Sequence, residues 1–113
     1  MIAIHLPYPP SANRLWRKGK NGRIHKSSTY SGWITQCLWE MNRQGAGYVD
    51  GPYRITIEAT RPDRRKRDLG NIEKAISDCL EHACVIEDDC LCEEIIVRWV
   101  DGDPGVLVKV EGV

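Results

Sequence analysis

Two acidic features of this chain have the residue types and spacing for chemistry. Asp68 follows directly on Arg64, Arg65, Lys66 and Arg67 and stands where a helix begins; Glu87, Asp88 and Asp89 come after that helix and before a strand. An aspartate at a helix start can be satisfied by its own backbone donors. Three adjacent carboxylates repel one another unless water or a cation takes up the charge. Asp68 together with Asp88 or Asp89 offers the ligand type that Mg2+ takes, one or two carboxylates with several waters retained. A divalent ion held there activates water and neutralises a phosphodiester. Lys74, one and a half turns into the helix, can set an ammonium beside that phosphate or pair with Asp78 four residues on, and both readings stand. The candidate catalytic residues are therefore Asp68, Lys74 and Asp89, and the candidate metal ligands Asp68, Asp88 and Asp89.

The partner those acids would meet is suggested by the bases. Sixteen Lys/Arg and sixteen Asp/Glu cancel in total, but residues 1–74 hold fourteen bases against six acids, a net of +8, and residues 75–113 hold two against ten, a net of −8. Arg14, Arg17, Lys18, Lys20, Arg23 and Lys26 follow one another with no intervening acid, a pattern that suits phosphate. Five cysteines are an odd count without a secretion signal, so a disulfide framework is not expected. Cys37 and Cys79 fall on apolar helical stripes; His82, Cys84, Cys90 and Cys92 form an alternative zinc set, with a Cys-x-Cys pair in place of the usual knuckle.

The elements that must position these groups follow from periodicity. Residues 2–6 read as a strand stopped by Pro7, Pro9 and Pro10. A polar basic loop comes next. Ser27 or Ser28 can cap a helix with Tyr30, Trp33, Ile34, Cys37, Leu38 and Met41 on its buried stripe, ended by Gly45 and Gly47. Tyr53, Ile55, Ile57 and Ala59 alternate with Arg54, Thr56, Glu58 and Thr60, as in a half-buried strand. A second helix starts at Leu69 behind Asp68 and buries Ile72, Ile76, Cys79, Leu80 and Ala83. Residues 92–100 and 106–111, separated by DGDPG, read as a hairpin. The order specifies an α+β fold, a small mixed β-sheet covered by two main helices, in a single domain over residues 1–113. No apolar stretch approaches the ~20 residues that cross a bilayer, and the start lacks a signal peptide, so no membrane partner and a cytoplasmic location are expected.

A second helix running to Ala83 is ~22 Å long, whereas residues 84–88 reach back at most ~17 Å. On those lengths Asp89 does not return to its own Asp68, and a two-fold homodimer with composite sites resolves the mismatch.

LPYPPSANRLWR (Leu6 to Arg17), RDLGNIEKAISD (Arg67 to Asp78) and VIEDD (Val85 to Asp89), in this order and spacing, resemble the RusA family of Holliday junction resolvases. The resemblance implies a homodimer that uses Mg2+ or Mn2+ to nick branched, four-way DNA in pairs during recombination and repair. It matches Asp68, Asn71, Lys74 and Asp89 to the family's acidic and lysine motif, with Asp88 preceding the last. It also suggests DNA contacts by Arg14, Trp16, Arg17, Lys18, Arg65, Arg67 and Asn71, with Tyr8 as a stacking group. The chain departs from the motif at Gly70, which stands where a second aspartate is expected. Two readings follow: an active metal-dependent endonuclease whose ion keeps more water, or a junction-binding protein impaired in cutting.

Overall fold

Strand alternation and helical periodicity together decide the layers. The computed structural model describes residues 1–10, the strands at 16–18 and 24–26 by their backbone, and residues 28–113. Strand β1 is Ile2–Leu6, β2 Trp16–Lys18, β3 Ile24–Lys26, helix α1 Ser28–Gln44, β4 Tyr53–Thr60, α2 Gly70–His82, β5 Cys92–Trp99 and β6 Gly105–Gly112. The four-stranded sheet has the order β1-β6-β4-β5, with β4 and β5 parallel and the other pairs antiparallel. This is the expected α+β class, a small mixed sheet with two main helices.

Strand β4 is the centre, and its buried residues Tyr53, Ile55, Ile57 and Ala59 share one face with Ile4, Leu6, Val106, Val108 and Val110. Onto that face α1 brings Tyr30, Trp33, Ile34, Cys37 and Met41, and α2 brings Ile72, Ala75, Ile76, Cys79 and Leu80. The opposite face carries an ion-pair lattice: Arg54 meets Glu94 and Glu111, while Glu58 accepts from Arg98 at 2.9 Å and Lys109 at 2.8 Å. One face dry and one face charged is the two-layer solution for so few strands.

Two connections differ from the sequence reading. Strands β5 and β6 do not form a hairpin but flank β4 on opposite sides. The crossover through α2 lays β5 parallel to β4, and Glu93 and Glu94 suit its place at the edge. The DGDPG segment then bridges two strand spacings, ~9.6 Å, across the end of β4. Val100 N–H bonds Ala59 there at 2.8 Å, and Gly105, at φ 129°, has room for no Cβ because the Leu6 carbonyl oxygen would lie 3.0 Å away. The basic loop, in turn, contains the antiparallel ribbon β2–β3, with Arg17 in register with His25. Strands of three residues are too short to reveal a period of two.

Candidate active site

Helix α2 carries Lys74, Asp78 and Glu81 at spacings of four and three, one line along its surface. It begins at Gly70, one residue later than its apolar pattern suggests. Leu69, with helical dihedrals, holds the N-cap position without a side-chain cap, and the Asp68 carboxylate accepts the Gly70 N–H at 2.9 Å in a local turn just ahead of the helix.

The far end decides where the acids go. Beyond Ala83, Cys84 turns left-handed at φ 57°; its N–H bonds Glu81 and that of Val85 bonds Leu80, both at 3.0 Å. This is the glycine-type helix terminator built on a cysteine. The chain reverses, buries Val85 and Ile86, and is pinned by Val49 N–H to the Val85 carbonyl at 2.8 Å. Asp88 then caps a 3-10 turn at Asp89–Leu91, its Oδ1 accepting the Cys90 N–H at 2.9 Å, a bond that holds its carboxyl below the usual range. The Asp89 N–H donates to Glu81 Oε1 at 2.7 Å.

Carboxylate oxygens of Glu81, Asp88 and Asp89 thereby come within 4.8 Å of one another. Oxygens on opposite corners of an octahedral Mg2+ shell lie about 4.2 Å apart, so this all-oxygen set, with Asp88 and Asp89 exposed and Glu81 half-buried, is of the type and near the spacing that a hard divalent ion takes. Lys74 Nζ lies 3.9 Å from Asp89 Oδ2 and 3.2 Å from Asp78 Oδ1. Asp78 raises the lysine's pKa most, and Asp89 adds to it. The second Asp78 oxygen accepts from the buried Tyr30 hydroxyl at 2.9 Å, so helix α1 braces the acid that braces the lysine. The Tyr53 hydroxyl is buried near the Cys92 thiol and the Asp89 carboxylate. Burial first, then the Cys92 thiol and the Asp89 carboxylate, push its pKa up.

The structure thus brings Lys74, Asp88 and Asp89 together within one chain. The reversal at Cys84 returns Asp89 alongside α2 as far as the Lys74 ammonium but, as the helix length predicts, not into one acidic group with Asp68. Asp68 is outside the acidic group, exposed at the other end of α2, with Asn71 nearby in sequence and equally exposed. Glu81 was not anticipated; its place seven residues beyond Lys74 on the same helical face was the available signal. The zinc set does not assemble, since among the described residues the ligand group is Glu81, Asp88 and Asp89, while Cys84 serves as the turn residue.

Of the expected DNA contacts, Arg14 lies outside the described residues, and Trp16, Arg17 and Lys18 are on β2, whose backbone alone is described. Arg65 is largely exposed, with Nε 3.9 Å from Asp63. Arg67 is mostly covered, bonded to Asp63 at 2.8 Å and stacked on Tyr8. Both line a groove of about 650 Å3 that reaches from Tyr8 to Lys66 and Gln36.

A mixed sheet crossed by α2, with acids and a lysine gathered on the helix and the turn that follows it, defines an α+β domain with an acidic site. Residues 7–111 match the family described as Endodeoxyribonuclease RusA. The chain is 34% identical over 108 residues to the crossover junction endodeoxyribonuclease RusA of Aquifex aeolicus, covering 93% of this chain and 84% of the relative. It is 37% identical to the protein of that name from Enterobacteria phage HK97 (84% and 80% covered) and 39% to that of Shigella sonnei (77% and 72%). The chain belongs to the RusA family.

Proposed function

We propose that this protein is an endodeoxyribonuclease that resolves four-way DNA junctions, with Mg2+ or Mn2+ held by Asp88, Asp89 and Glu81. The observation that carries the reading is the convergence of these three carboxylates beside Lys74 in a chain of this family. A bound divalent ion supplies an activated water and charge neutralisation at the scissile phosphate. The chain's own residues do the rest. Lys74, aimed by Asp78 and Tyr30, balances the acids and presents an ammonium to the phosphate oxygens. Glu81 receives the Asp89 N–H and so fixes the turn on which Asp88 and Asp89 stand, and Asp68 meets the DNA from the helix start.

Paired nicks call for paired sites, and the proposal includes a homodimer. Strand β5, an edge of the four-stranded sheet among the described residues, supports it by exposing the apolar side chains of Ile95 and Ile96 for a second copy to cover. Gly70 favours a second reading, binding without cutting, because it removes a carboxylate next to Asp68. Against it, Glu81 provides a third carboxylate at the other end of the helix. The test is cleavage of a synthetic four-way junction in Mg2+ by the native protein and by Gly70→Asp. Symmetric nicks by the native protein support the nuclease reading; tight binding with nicks only by Gly70→Asp supports the impaired one.

A further inference from the structure

Away from the acids, four side chains from two connections and the end of β5 come together. Tyr8, after β1, lies parallel to Trp99, the last residue of β5, at 6.4 Å between centroids and 5° between planes. The guanidinium of Arg61, the first residue after β4, sits 4.3 Å from the Trp99 centroid, and that of Arg67 sits 5.4 Å from the Tyr8 centroid. The two cations are not equivalent. Arg67 is neutralised by Asp63 at 2.8 Å, whereas Arg61 has no carboxylate partner among the described residues. A ring face uses none of the five N–H donors of a guanidinium, so Trp99 fixes the Arg61 head and leaves its donors free.

Each ring carries an arginine as well as its neighbouring ring, so what the column presents beyond the rings is guanidinium. The column therefore suits a phosphate, which guanidinium matches with two parallel hydrogen bonds. Arg61 opens onto a hollow of about 310 Å3 that it lines with Thr60, Trp99, Val100, Asp101 and Gly102, and Asp101 shares that lining without forming an ion pair with Arg61.

Resting on the reading that the substrate is DNA, we propose that Arg61 is a backbone-phosphate contact for one arm of the branched substrate and that Trp99 is its positioning residue. The experiment measures binding of a synthetic four-way junction without divalent metal, by fluorescence anisotropy between 50 and 200 mM salt. Arg61→Gln is expected to weaken binding about five- to tenfold at the lower salt and to flatten the slope of log K against log salt by about 0.9, the value of one phosphate. Trp99→Leu flattens the slope equally while thermal unfolding remains cooperative; Trp99→Phe, which keeps a ring face, restores it. An unchanged slope in Arg61→Gln overturns the contact. A flattened slope in Arg61→Gln with a native slope in Trp99→Leu overturns the positioning role. A native protein that does not bind the junction at all overturns this inference and the DNA reading together, an outcome distinguishable from either of the others.

Discussion

Helix α2 has acids gathered toward one end and arginines toward the other, and the fold holds the two groups by different means. Glu81 accepts the Asp89 N–H at 2.7 Å, and Asp88 accepts the Cys90 N–H at 2.9 Å with the Cys90 thiol also bonded to it. A carboxylate has about four acceptor positions, so these bonds orient each acid and leave positions for an ion or water. Arg61 is fixed by an aromatic face, which takes no donor, whereas Arg67 is fixed by the Tyr8 ring together with its bond to Asp63. In both regions orientation is achieved without using up the capacity to bind. The difference is in charge balance: the acids face the Lys74 ammonium, while on the basic side Asp63 neutralises Arg67 and, among the described residues, no carboxylate pairs with Arg61.

The acidic region is the one to break first. Asp89→Asn keeps the shape and removes one charge from the group that touches Lys74. Junction cleavage in Mg2+ is expected to fall by a factor on the order of 100 or more, with junction binding retained, as single-turnover kinetics would measure. Near-native cleavage would move the chemistry away from this turn.

Glu81→Gln separates ligand from scaffold. Glutamine still accepts the Asp89 N–H, so the turn remains and only a charged oxygen is lost. The Mg2+ concentration needed for half-maximal cleavage should rise roughly 10- to 100-fold, with the rate recovering at high Mg2+. Asp68→Asn is the comparison: a larger rise there than in Glu81→Gln would place the ion at the helix start.

Glu81 also shows where sequence reasoning stops. Strand alternation at Tyr53–Thr60 and the stripes of both helices predicted the layers, because burial on one face imposes a period. Lys74, Asp88 and Asp89 were recognisable by type and motif. What periodicity did not reveal was strand order, since β5 and β6 are adjacent in sequence but are separated in space by β4. Nor did it reveal the left-handed turn at Cys84, because no sequence rule places a cysteine where glycine is the usual choice. That turn redirects Asp88 and Asp89 onto Glu81, and so the composition of the acidic group depended on a backbone angle rather than on a motif.

The turn can be tested against its counterpart in α1. There Gly45 sits at φ 69°, with its N–H on Asn42 at 3.2 Å and that of Ala46 on Met41 at 2.9 Å, the same pattern that Cys84 and Val85 make. A side chain in that conformation costs roughly 1–2 kcal/mol, part of which glycine returns through its freer unfolded chain. Cys84→Gly should therefore stabilise the protein by about 1 kcal/mol, a rise in Tm of about 4 °C. Destabilisation would mean that the cysteine side chain contributes more than its strain costs.

The smallest expected effect is at the other end of the helix. Gly70 is not in the left-handed region, and a Cβ there would meet Asp68 Oδ1 at 3.4 Å, an ordinary contact. Nothing in the backbone therefore asks for glycine, and Gly70→Ala should stabilise by at most about 0.5 kcal/mol, since glycine is the poorer helix former. The Asp68 bond to the residue-70 N–H survives the change. Denaturant unfolding measures the gain and junction cleavage measures its consequence. Unchanged cleavage would show that position 70 is open to a side chain and indifferent to the chemistry, which concentrates the reaction on the acids at the Cys84 turn. A loss of cleavage on adding a single methyl group would instead mean that DNA approaches the helix start closely enough to need the bare backbone, and that both ends of α2 work on the same phosphate.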